Sequence, residues 1–147
     1  MRIAIACLML LAPVAALSQA HTPVGAWTTV NERGEAEGLV RIVEVAGELR
    51  GTVEKVYSPP APEPNPKCDE CSGELKGKPV IGMQILSGLR WDGEQYSGGE
   101  ILDPNNGTTY RCLLRVIDEG RKLEVRGYIG ISLFGRTQVW PRAANPR

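Results

Sequence analysis

The feature that most constrains this chain is a period of two. After residue 20, apolar and polar residues alternate in short runs, and no segment there repeats apolar residues at i, i+3, i+4 and i+7 over three turns. Leu49, Gly51 and Val53 share one face against Arg50, Thr52 and Glu54, and Leu123 and Val125 oppose Lys122, Glu124 and Arg126. A third run sets Cys112, Leu114 and Val116 against Arg111, Leu113 and Arg115, which places Cys112 among core residues. Turn residues separate the runs: Asn31-Glu32-Arg33-Gly34, Ala46-Gly47, Asp92-Gly93, Asp103-Pro104-Asn105-Asn106-Gly107 and Asp118-Glu119-Gly120. Strands are predicted near 24–30, 38–46, 48–57, 80–91, 94–102, 108–117, 122–128 and 135–141. The fold class is therefore all-β. Short connections make sequential neighbours antiparallel, and a sheet of about eight strands loses its exposed edges by closing into an up-and-down β-barrel with room for side chains or one small ligand. A two-sheet sandwich is the alternative, but its crossings need longer connections.

Residues 1–20 stand apart. Arg2 followed by the apolar stretch Ile3 to Leu17 and by Ser18-Gln19-Ala20 has the layout of a secretory signal peptide. The run falls short of the roughly 20 residues that cross a bilayer and contains Pro13, so no membrane span is expected. Cys7 leaves with that segment, and the domain is residues 21–147, destined for the periplasm or secretion. An exported chain meets oxidising conditions, so Cys68 and Cys71, three apart in a loop, are expected to form a local disulfide. They sit in the one long connection, about residues 58–79, which holds six of the eleven prolines and reads as a lid, a binding surface or a tethered excursion.

Composition excludes several chemistries. A single histidine, His21, leaves no residues for a three-His zinc site or for an internal His beside a nucleophile. As a new N-terminus His21 lacks the second imidazole of a copper site, and Asp103 alone brings too few carboxylates for calcium. No metal and no cofactor are expected. Seventeen basic residues balance seventeen acidic ones without a block of either, so charge gives no footprint for nucleic acid. Acids inside Cys68-Asp69-Glu70-Cys71 raise a thiol pKa, which disfavours a thiol-disulfide enzyme.

Gly25-Ala26-Trp27, the Asp103 to Tyr110 turn, and the terminal block Leu123 to Gly130 followed by Leu133 to Trp140, together with Cys68-x-x-Cys71, Lys78-Pro79 and Gly98-Gly99, resemble the bacterial exported proteins grouped as domain of unknown function 2147. The resemblance implies an exported, lipocalin-like (calycin) barrel and brings no catalytic residues. A looser likeness to the lipocalin and fatty-acid-binding superfamily rests on Gly25-x-Trp27, and implies an arginine packed across Trp27 at the barrel base. Arg136 is the positional match and Arg126 its rival.

The expected function is non-catalytic binding of a small hydrophobic or amphiphilic molecule in the cell envelope. Trp27, Tyr110, Tyr128, Phe134 and Trp140 are the candidate lining, with Arg126 or Arg136 near a polar head. The apolar run Ile129 to Gly135 either plugs a barrel end or lines an entrance, and plugging is favoured because exposure invites association. The alternative is an interaction module that meets an envelope protein through the Pro-rich disulfide loop, where Ser58 to Pro64 forms a candidate polyproline ligand.

Overall fold

A computed structural model describes residues 21–57 and 64–144. The expected leader, and residues 58–63 of the proline run, lie outside the described residues. Eight strands follow one another: β1 (Gly25–Val30), β2 (Ala36–Val45), β3 (Glu48–Val56), β4 (Gln84–Trp91), β5 (Tyr96–Asp103), β6 (Thr108–Ile117), β7 (Lys122–Tyr128) and β8 (Arg136–Pro141). Each pairs antiparallel with the next in a single sheet of order β1 to β8, so the architecture is up-and-down rather than a sandwich. Tight turns enforce this. Ala46 and Gly47 both have positive φ, the geometry of a two-residue hairpin whose twist matches its strands. One strand starts later than its pattern suggested: residues 80–83 make a turn, with Gly82 N–H donating to the Val53 carbonyl at 2.8 Å, and β4 begins at Gln84.

The first and last strands meet at the end of the barrel where β1 begins. Trp27 bridges to Arg142, and Ala143 N–H donates to the Ala26 carbonyl at 2.9 Å. Pro141, beside the bridge, has no N–H to extend the ladder. At this end the guanidinium of Arg142 stacks 4.1 Å from the Trp27 ring centroid. It also donates to the carbonyls of Gly120, Val24 and Thr22 at 2.6, 3.0 and 2.8 Å. The indole Nε1 of Trp27 donates to the Pro23 carbonyl at 2.8 Å. The expected arginine over Trp27 therefore exists, but it is neither Arg136 nor Arg126. Antiparallel strands place the start of β1 beside the end of β8, and Arg136 opens β8, five residues or roughly 17 Å from Pro141 along the strand.

The half of the barrel near Trp27 is solid. Trp27, Ile42, Leu49, Leu86, Leu89, Leu114 and Leu123 are fully buried there; on β4 the alternation breaks, with Leu86 and Leu89 both buried three residues apart on either side of the positive-φ Gly88. Cys112 is buried in the same cluster, as its run predicts. Burial pushes its thiol up to about 12. In the protein lacking residues 1–20, which carry Cys7, we expect iodoacetamide at neutral pH to leave Cys112 unlabelled in the folded state and to label it promptly in denaturant. The folded state holds this thiol protonated, so its contribution to stability is complete below the ordinary value of 9.0 and fades as pH rises toward about 12.

The described part of the long connection, from residue 64 onward, is a folded flap. Lys67 and Pro79 form a bridge, Cys68 N–H donates to the Lys78 carbonyl at 2.8 Å, and Val80 N–H donates to the Pro66 carbonyl at 2.8 Å. The Asn65 side chain accepts from Ile81 N–H at 3.1 Å, and the Cys68–Cys71 disulfide closes the tip.

Candidate functional site

The other half of the barrel is hollow. A cavity of about 910 Å³ opens at the end formed by the β1–β2, β3–β4, β5–β6 and β7–β8 connections. Its floor is apolar and buried, built by Val40 of β2, Val53 of β3, Ile85 of β4, Leu102 of β5, Val125 of β7 and Trp140 of β8. Every strand except β1 and β6 thus places a buried apolar side chain on it. Trp140 turns its ring edge to Gln138, donating Nε1–H to Oε1 at 2.9 Å, so the one polar atom of the indole is satisfied. Nothing on this floor titrates near neutral pH, and no group of three or more His, Cys, Asp or Glu able to hold a metal occurs among the described residues.

The rim is mixed. Tyr110 and Tyr128 stand on it half-buried, and the Tyr110 hydroxyl accepts from Asn106 Nδ2 at 3.0 Å. Arg136 pairs with Glu32 of the β1–β2 turn, tying the mouth ends of β8 and β1 across the seam that lacks a ladder there. Glu37 Oε1 accepts from Asn105 Nδ2 at 2.8 Å, joining the β5–β6 turn to β2. Within that turn Asp103 Oδ1 caps the N–H of Asn105 at 2.9 Å, which is a hairpin device rather than a cation site.

The disulfide flap supplies the wall beside this turn. Cys68 Sγ lies 3.4 Å from the Pro104 carbonyl oxygen, and Asp69 and Glu70 reach the rim. Both sulfurs are buried, with Cys68 at 0% and Cys71 at 3% exposure. The seat is Gly107. Its φ is +71°, and a Cβ there would stand 1.9 Å from the Glu70 carbonyl oxygen.

The structure brings Tyr110, Tyr128, Phe134, Arg136 and Trp140 to the cavity, as their sequence positions suggested, and leaves Trp27 and Arg126 off it. Trp27 packs at the closed end. Arg126 is turned outward from β7: Nε and Nη2 donate to the Ser132 carbonyl at 2.8 and 2.5 Å, Nη2 to the Leu133 carbonyl at 3.3 Å, and Nη1 to Thr137 Oγ1 at 2.7 Å. With its donors spent on the β7–β8 connection it does not face a ligand. That connection is not a plug either. Its Ile129, Ile131, Leu133 and Phe134 are 67%, 58%, 75% and 78% exposed, because Arg126 holds the backbone against the barrel and the side chains splay away. It forms an apolar lip on the mouth. The floor residues Val40, Val53, Ile85, Leu102 and Val125 were not named as lining from sequence, although Val53 and Val125 were placed on apolar strand faces.

Hollow at one end, sealed by tryptophan and arginine at the other, with eight strands in sequential order, this is a lipocalin-like barrel, and comparison with known proteins agrees. The model of the family described as "Uncharacterized protein conserved in bacteria (DUF2147)" matches residues 25–142. The chain belongs to that family. Among solved structures, protein HP1028 from the human pathogen Helicobacter pylori, described as belonging to the lipocalin family, superposes with a TM-score of 0.70 at 22% identity over 83% of each chain. That likeness concerns the fold. No curated protein matches the chain.

Proposed function

We propose that this DUF2147 barrel is a non-catalytic binder of a small apolar or amphiphilic molecule in the bacterial cell envelope. The observation that carries the reading is the half-hollow interior: a cavity of about 910 Å³ with a buried apolar floor and one open, polar-rimmed mouth. Such a volume lies within the range of about 300–1,000 Å³ that small-molecule sites occupy. The apolar part of a ligand lies against Val40, Leu102, Val125 and Trp140, and its polar end meets water and the Glu32–Arg136 pair. Export through the leader at 1–20 accords with the Cys68–Cys71 disulfide.

Burial of both disulfide sulfurs speaks against thiol exchange, which needs an attacking thiolate to reach one of them. The flap is also occupied with forming the cavity wall, which leaves the binding reading ahead of the interaction-module reading.

Titration with a neutral environment-sensitive dye such as N-phenyl-1-naphthylamine tests the proposal. Saturable binding is expected at a stoichiometry of one. Filling the floor with Val125→Phe should weaken it by about tenfold or more while leaving a cooperative unfolding transition, since added volume displaces the ligand at a modest packing cost. Absence of saturable binding, or an unchanged affinity in Val125→Phe, sinks the reading.

A further inference from the structure

The β7–β8 lip presents four large apolar side chains to solvent beside the mouth, and Ile129 and Phe134 also line the cavity. Exposed apolar surface on one contiguous loop marks a contact. The lip is held in this state. Arg126 commits its donors to the Ser132 and Leu133 carbonyls and to Thr137, and Phe134 N–H donates to the Ile131 carbonyl at 3.3 Å, so the backbone is tied down while the side chains point away. Folding the side chains inward would break those bonds.

From this geometry we infer that the lip docks on a lipid surface, inserting Ile131, Leu133 and Phe134 among acyl chains with the mouth facing the membrane. Area decides the occupant. A seven-residue knob falls short of the roughly 800 Å² per partner that a stable protein interface takes, whereas insertion into lipid requires apolar side chains but no matching shape. Position agrees. Tyr57, also exposed, follows β3 at the same end of the barrel, and Lys55 and Arg136 stand on the mouth at the height where headgroups would lie. The lip is continuous with the cavity rim, so the surface that covers it also offers an amphiphile directly to the opening. Docking stands on the lip alone; uptake of the amphiphile from the membrane rests on the binding function proposed above.

Flotation of the purified protein with phosphatidylcholine vesicles tests docking. The variant Ile131→Ser/Leu133→Ser touches no residue of the cavity wall, so it should bind the naphthylamine dye as the parent does. The parent is expected to float with the vesicles, and the variant to lose about tenfold or more of that partition, since each burial of a large aliphatic side chain alone is worth about that factor. A parent that stays in the dense fractions overturns the inference, as does a variant that floats equally well. Sedimentation completes the test: a parent dimer that the variant converts to monomer assigns the lip to a second copy and rules lipid out. Loss of dye binding in the parent itself would tell against the cavity reading and leave the flotation result to judge docking.

Discussion

Truncating Arg142 to alanine is expected to destabilise the barrel by about 3 kcal/mol, shifting the urea midpoint down with little change in slope. Its guanidinium satisfies carbonyls from Gly120, Val24 and Thr22 while covering the Trp27 face, so one side chain ties the β6–β7 turn, the approach to β1 and the end of β8 together. Burial pushes its pKa down, yet it remains the charged donor at any ordinary pH. Charge-assisted hydrogen bonds contribute about 1.5–3 kcal/mol each and the ring contact about 0.5–2, and partial exposure discounts the sum to the figure given. Lysine in its place keeps the charge but brings a single ammonium to three separated carbonyls, so Arg142→Lys should recover only part of the loss. Because the cavity lies at the other end, dye affinity in the folded fraction should not change. If Arg142→Ala unfolds at the parent's midpoint, the clamp at the barrel base contributes nothing and closure rests on the Trp27 core alone.

Gly107→Ala carries the second large effect. Left-handed backbone disfavours an L side chain by roughly 1–2 kcal/mol, and the new methyl would also stand 1.9 Å from the Glu70 carbonyl oxygen and 2.9 Å from the Cys71 nitrogen. Neither is the far end of a flexible side chain, so the flap must lift off the β5–β6 turn. The expected outcome is a loss of about 3 kcal/mol, together with faster reduction of the Cys68–Cys71 disulfide by dithiothreitol as its buried sulfurs become reachable. Weaker dye binding should accompany it, since Asp69 and Glu70 leave the cavity rim. Reduction at the parent's rate would show that the flap does not depend on this seat.

The fates of Trp27 and its arginine show where sequence reasoning stopped. Gly25-x-Trp27 pointed to a guanidinium over the indole, and one is there, but the arginine was sought on β8 at Arg136 instead of just past it at Arg142. Parity does not separate the two, since both share the side of Trp140. Polarity does: an up-and-down barrel sets the start of its first strand against the end of its last. The lip failed differently. A run apolar almost throughout reads as buried, and only the hydrogen bonds of Arg126 reveal that its backbone is pinned with the side chains outward.

The sequence by itself determined the number and order of the strands, the faces of β3, β6 and β7, the burial of Cys112 and the Cys68–Cys71 pairing, because period-two alternation, turn residues and close cysteine spacing are local signals. It also marked Tyr110, Tyr128, Phe134, Arg136 and Trp140 for the cavity. Only the tertiary structure decided that the interior is solid around Trp27 and hollow around Trp140, that the flap on Gly107 is part of the wall, and that the lip stands exposed. Alternation says which side chains face inward, but whether they fill the space between them depends on the distance across the barrel, which strands far apart in sequence set together.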